Sequence, residues 1–440
     1  MDSPSPPFFL WRLFALDPDH VSPVERMLMR VALGVACFVA LRTYDDNRVF
    51  SGDDLRNRVV GARVMLAGYD PYTFEWEPGM PEQWLDPVYE PKAHRLTISP
   101  PTLLLYAPIA PLPYKAQRFV SFLAEWLAMI ASLALLAHSL PAPRHRVIFL
   151  AGAAVLFLAT DIWRMHLERG QMYVFPLLVL SIAIAASNRG QDDSLLAGVA
   201  LGALGLMRPN LLIIAGGLLI LKRWKTLGAM LATIAIVGTI TYSMLPTTAW
   251  QSYLDVGEQY YRAVDDPEPG PNDRRLPEHV GPVEGVQFHH SLVNVSCSSF
   301  AHLYYVLRMR FDLPRLEIAL VSKAILAGFA ALMMIMVWLR RGEATSAFAL
   351  MVLLALDTEF FLPHRWGYAD VMQLAPVALM LPLLARNESE SLLASACVLI
   401  GLIGGTLGQH YVDVHTATVL RSWLVMASLT ALAWRTDTNV

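Results

Sequence analysis

The chain has 440 residues, 55% of them hydrophobic and 16% charged, with a formal net charge of −3. Soluble domains carry about 25% charged residues, so the composition points to a membrane, and the near-neutral balance argues against nucleic acid as a partner. Three cysteines (Cys37, Cys297 and Cys397) are too few and too scattered for a disulfide framework or a thiolate metal site.

In chain order, the first 30 residues mix prolines and acids and lack a short apolar core followed by small residues, so no cleaved leader is expected. The apolar stretch Met27 to Leu41, beside Arg26 and Arg30, reads as a first spanning helix with its amino end in the cytoplasm. It extends a few residues either way to reach the ~20 that a bilayer needs. Further apolar runs follow at about 97–113, 119–138, 147–162, 172–187, 192–222, 226–244, 318–338, 345–362, 368–384, 391–407 and 418–434. Counted once each, they predict an all-α polytopic membrane protein of about twelve transmembrane helices, with residues 1–440 as one integral membrane domain. Arg208-Pro209 interrupts the 192–222 run, which is then one bent helix or two short ones.

Basic junctions at 222–225 and 338–341 mark cytoplasmic turns. Residues 43–96 and 245–316 then become two large outer loops, the first holding a candidate catalytic aspartate. The expected location is the cytoplasmic (inner) membrane, multi-pass, with the active site facing the periplasm or cell exterior.

The first loop opens with Asp53 and Asp54. An aspartate there caps a helix beginning at Leu55, or it serves as a general base for an attacking hydroxyl; the two roles coexist. Arg56, Arg58 and Arg63 follow as partners for phosphate or for the acid. Glu75, Glu77, Glu82 and Asp86 make an acidic, tryptophan-bearing loop, either solvated or suited to stacking a sugar. Asp161, His166 and Glu168 cluster in sequence, but the predicted topology places them at a solvated cytoplasmic junction. Arg208, His364 and Arg365 are either headgroup-facing cations or phosphate contacts. The pair His289-His290 lacks the spacing of a dedicated metal site.

The order of these elements resembles the polyprenyl-phosphate-dependent glycosyltransferases of the GT-C superfamily, and most nearly glycosyltransferase family 87, the bacterial membrane mannosyl- and arabinosyltransferases. Asp54 begins the pattern, Gly61-Ala62 supplies its small residues and Gly68-Tyr69-Asp70-Pro71-Tyr72 closes it. Ser99-Pro100-Pro101-Thr102-Leu103 and Pro108 to Pro113 match the next helix entry and exit. Glu168-Arg169-Gly170-Gln171 matches a Gly-Gln at a helix start, and Arg208-Pro209 through Lys222-Arg223 a basic residue before an apolar helix. His289-His290-Ser291-Leu292 stands where the family has Asn-Gln-Ser-Leu, and Leu362 to Tyr368 matches the late element without its serine and with its histidine displaced.

The resemblance implies a GT-C-like fold and transfer of a single hexose or pentose, mannose first among them, with inversion. The donor would be a polyprenyl-phosphate-linked sugar, the acceptor a glycolipid or glycan, and the setting a lipid bilayer. It implies Asp54, or Asp53 one residue away, as base, and Arg58, Arg208, His289, His290, His364 and Arg365 as donor-phosphate or substrate contacts. No cofactor and no metal are expected, because a lipid phosphate needs no nucleotide loop. A flippase of lipid-linked sugars and an O-antigen ligase or polymerase are the competing readings.

Overall fold

The computed structural model describes residues 13, 14, 16, 21–49, 52–85, 96, 98–158, 161–187, 193–256, 311, 315–342, 344–358 and 367–384. Among them all regular structure is helical. The helices are α1 (Pro23–Val49), α2 (Asp53–Leu66), α3 (Pro100–Leu104), α4 (Tyr114–His138), α5 (Pro143–Ala153), α6 (Asp161–Arg169) and α7 (Val174–Ser187). There follow α8 (Leu195–Met207), α9 (Ile214–Ile220), α10 (Trp224–Met244), α11 (Arg315–Leu339), α12 (Ala344–Asp357) and α13 (Leu374–Leu384).

The prediction of about twelve transmembrane helices is overturned. Among the described residues two helices, Tyr114–His138 and Trp224–Met244, are long and apolar enough to cross a membrane. A third arises only if Ile162–Arg169 and Val174–Ser187 count as one span, and a bend of 118° separates them. Turns are the physical reason. The 97–113 run holds a helix of 5 residues followed by turns, and the 192–222 run divides into helices of 13 and 7 residues around Pro209. At 1.5 Å per residue the 14-residue α7 rises about 21 Å, short of a ~30 Å hydrocarbon layer. The runs at 391–407 and 418–434 lie outside the described residues.

Much of the apolar surface is buried inside the protein. Trp126, Met129, Trp163, Leu177, Ile184, Leu201 and Phe348 belong to one core that α4, α6, α7, α8 and α12 share. Gly198 and Gly202 let α8 lie directly against α10: a Cβ on Gly202 would meet the Met230 carbonyl oxygen at 2.7 Å.

The multi-pass location with an outward-facing site falls with the helix count, and so does the sidedness read from 222–225. Asp193 accepts the backbone N–H groups of Lys225 (2.9 Å) and Thr226 (2.7 Å), capping the start of α10. Arg223 is buried, its guanidinium carbon 4.8 Å from the Phe348 ring centroid. The junction is therefore packed as a structural cap. The supposed first loop also differs from expectation, since α1 runs on to Val49 and only three residues separate it from α2. Of the supposed second loop, residues 245–256 are described, and Leu245 and Ala249 pack into the cluster around α2.

Candidate functional site

Helix α2 starts at a glycine in the left-handed region, Gly52 at φ 61°, and its first two residues are Asp53 and Asp54. Acidic side chains suit the positive end of a helix dipole. Leu55, Val59 and Ala62 recur at helical spacing and are buried, which seats one face of α2 against Leu96, Leu103, Tyr106 and Met172. The helix ends in a Schellman motif: Gly68 N–H donates to Met65 O (3.0 Å) and Tyr69 N–H to Val64 O (3.2 Å). Asp70 then accepts the Tyr72 N–H at 3.0 Å and the Ser252 hydroxyl at 2.7 Å. The Tyr72 hydroxyl donates to Ile98 O at 2.8 Å. The Gly68–Tyr72 turn thus joins α2 both to the entry of α3 and to the segment that follows α10.

The second half of the site is the corner between α6 and α7. Gly170 N–H donates to Leu167 O (3.1 Å) and Gln171 N–H to His166 O (2.9 Å), again a Schellman ending. Gly170 has φ 67°, and a Cβ there would lie 2.6 Å from the Leu55 Cβ. The Gly-Gln pair expected at a helix start is a helix end, and it needs glycine for both backbone conformation and close approach. The fully buried His166 ring braces the corner. Its Nε2 accepts the Val174 N–H at 3.2 Å, so Nδ1 carries the proton and donates to Glu125 at 3.1 Å. Arg118 of α4 reaches the carbonyls of Leu167 (3.4 Å), Glu168 (3.3 Å) and Asn47 (3.5 Å).

The corner docks onto the start of α2. Arg169 Nε donates to Asp54 Oδ2 at 2.7 Å, and the Gln171 side-chain amide donates to the same oxygen. Arg58, one turn along α2, donates to Gln171 Oε1 (2.8 Å), to Gly170 O (2.9 Å) and to the Tyr106 hydroxyl (3.4 Å). Asp53 pairs instead with Arg56 at 3.2 Å. The Asp54 side chain keeps 26% of its exposure. Burial pushes its carboxyl up, but the Arg169, Arg58 and Arg56 guanidiniums outweigh that, and its pKa lies below the ordinary carboxylate value. Asp54 is therefore an ionised, oriented carboxylate that water or a hydroxyl can still reach.

Of the residues expected at the site, Asp53, Asp54 and Arg58 come together. Arg208 ends α8 with its guanidinium carbon 4.7 Å from the ring centroid of Tyr173, two residues beyond Gln171. His289, His290, His364 and Arg365 lie outside the described residues. Arg63, offered as a partner for phosphate or the acid, instead donates to the carbonyls of Ala110 (2.7 Å) and Gln83 (2.9 Å). Sequence reasoning missed Arg169 and read Gln171 only as part of a helix start. It also placed His166 and Glu168 at a solvated junction, whereas both are buried, Glu168 within electrostatic reach of Asp53. The signal was present in the Glu-Arg-Gly-Gln motif itself. Tyr69, Phe74 and Trp84 stack edge-on, with centroids 5.4–6.0 Å apart, in the acidic loop beyond α2. Among the described residues no three His, Cys, Asp or Glu side chains gather where they could hold a metal ion.

The family model of glycosyltransferase family 87 matches residues 97–363. The match takes in Arg169, Gln171 and Arg208 and begins downstream of Asp54. No curated protein matches the chain.

Proposed function

The chain belongs to glycosyltransferase family 87 and is a sugar-transferring enzyme; from that premise we propose that Asp54 is the general base of the transfer. Membership implies, in general terms, a polyprenyl-phosphate-linked sugar donor and a glycan acceptor. The finer reading is a single hexose or pentose, mannose first, passed with inversion to a lipid-linked or cell-envelope glycan.

In that reading the acceptor hydroxyl oxygen attacks the sugar C1. The bond from C1 to the phosphate oxygen breaks, with its electron pair leaving on phosphate. The hydroxyl proton goes to Asp54. Arg169 and Gln171 both donate to Oδ2 of Asp54, so Oδ1 is the atom offered to the hydroxyl. Arg208, held over Tyr173, is the cation proposed for the leaving phosphate.

One observation carries the proposal: a partly exposed carboxylate is fixed from two sides, by Arg169 and Gln171, at the junction of α2 with the α6–α7 corner. A capping aspartate needs only its own helix, whereas this one is oriented by residues 115 and 117 positions away.

The test compares Asp54→Asn with Asp53→Asn, each purified at native yield and assayed against a panel of polyprenyl-phosphate sugars and glycan acceptors. Loss of a general base costs ~10²–10⁴ in rate. Such a loss is expected for Asp54→Asn alone. A near-wild-type rate in Asp54→Asn refutes the assignment, and a collapse confined to Asp53→Asn moves it one residue upstream.

A further inference from the structure

The chain beyond α2 folds back onto that helix as a small layer with anchors of its own. Val60 and Val64, one turn apart on α2, are buried with Phe74, and Trp76, Met80 and Trp84 pack against them partly buried. Glu77-Pro78-Gly79-Met80 makes a tight turn: the Met80 N–H donates to Glu77 O at 3.0 Å, and Gly79 takes the φ of 100° that its place in the turn requires. The Trp76 indole N–H donates to Pro81 O at 3.2 Å. Arg63 of α2 holds Gln83 O at 2.9 Å, inside the short helical turn Glu82–Trp84.

Three rings meet in this layer. The Tyr69 centroid lies 5.4 Å from that of Trp84 and 5.8 Å from that of Phe74, and Phe74 and Trp84 are 6.0 Å apart. Their burial differs. Phe74 is 6% exposed, whereas Tyr69 is 46% exposed. Phe74 and the two valines already supply an apolar centre. A tyrosine ring that is packed yet half in solvent, beside two half-buried tryptophans, adds aromatic surface beyond that need. Glu75, Glu77 and Glu82 interleave with these residues along the chain, and all three are exposed.

We propose that this layer is a glycan subsite, which holds sugars of the acceptor other than the one that reacts. A sugar ring lays its C–H face on an aromatic ring, and its hydroxyls donate to carboxylates. The same carboxylates repel a phosphate, so the occupant is the acceptor glycan and not the donor. The position fits as well. Tyr69 N–H is bonded to Val64 O, and Val64 stands ten positions after Asp54 on α2, about 15 Å along the helix axis. One sugar bound at Asp54 does not extend that far, whereas a chain of several reaches both places. The turn, the Trp76 anchor and Arg63 fix the surface before a glycan arrives, which lowers the ordering cost of binding.

The proposal deepens the reading of the chain as a sugar transferase with a glycan acceptor, and its test separates the two. A ladder of manno-oligosaccharides, from the monosaccharide upward, is titrated calorimetrically into the full-length protein without donor, and the same ladder then serves as acceptor. Affinity should rise with length until the chain spans from Asp54 to Tyr69, and then level off. Tyr69→Ala should weaken the long members about tenfold and raise their KM in proportion, with donor KM and the monosaccharide unmoved. Tyr69→Phe, which keeps the ring, should bind as wild type does. The combined Glu75→Gln, Glu77→Gln and Glu82→Gln variant should weaken the same long members. No binding, or wild-type affinity that does not rise with length, overturns the proposal, as does a folded Tyr69→Ala protein that binds long and short members as wild type does. If Tyr69→Ala instead loses binding to vesicles of mixed neutral and anionic phospholipid, or changes oligomeric state, with oligosaccharide affinity intact, the layer faces lipid or a second copy and the proposal fails. Asp54→Asn should bind the ladder like wild type. Wild-type transfer by that variant removes the base assignment and leaves the subsite standing, whereas a dead Asp54→Asn beside length-independent binding removes the subsite alone.

Discussion

Replacing Gly170 by alanine should unseat the α6–α7 corner from α2. Two costs add. At φ 67° an alanine adopts the left-handed region, at roughly 1–2 kcal/mol. Its Cβ would also stand 2.6 Å from the Leu55 Cβ and 3.2 Å from Arg118 Nη1. Neither is the loose end of a side chain with room to swing, because Leu55 is fully buried and Arg118 is 4% exposed. Overpacking of this kind costs about 1–3 kcal/mol, for a total of about 2–5 kcal/mol. Gly68 is the internal control: it has φ 86°, but nothing lies within 4 Å of the Cβ position, so Gly68→Ala should show the backbone cost alone. The assay is the denaturation midpoint of both variants in one buffer, with transfer rate measured alongside. Gly170→Ala should unfold well below Gly68→Ala and lose rate as Arg169 and Gln171 shift off Asp54. Equal midpoints for the two would refute the close approach of Gly170 to Leu55.

The lowered pKa of Asp54 sets an acid limb on stability. An unfolded aspartate titrates near 3.9, so this contribution is complete above about pH 4. It is lost as pH falls through the lower folded value, and Asp54→Asn should flatten that limb in an acid titration followed by circular dichroism. Arg208→Ala should weaken transfer most at subsaturating donor while the protein keeps its midpoint, and unchanged initial rates there would remove Arg208 from the site.

Much of the site was legible as separate pieces. Asp54, the Gly68–Tyr72 turn and Gly170-Gln171 each stand out in the sequence, because a turn glycine and an acid at a helix start have local causes. Their pairing was not legible. Asp54 and Arg169 meet across 115 residues, and nothing in either segment names the other as partner. Hydropathy failed more widely, because it scores removal from water without saying whether lipid or protein does the removing. Leu177, Leu180 and Ile184 are fully buried against protein neighbours, so α7 is apolar for packing. Arg208-Pro209 was rightly read as a break, yet Gly170 was not seen to turn the chain through 118°.

The most direct measurement treats Asp54 and the corner as one unit. Transfer rates are compared for wild type, Asp54→Asn, Gln171→Ala and the double variant, at matched folded yield and saturating acceptor. Residues that act together lose rate non-additively. A collapse in Asp54→Asn, a marked loss in Gln171→Ala and a double variant little worse than Asp54→Asn is the predicted pattern. Losses that simply multiply, or an Asp54→Asn protein that transfers sugar at the wild-type rate, would contradict it.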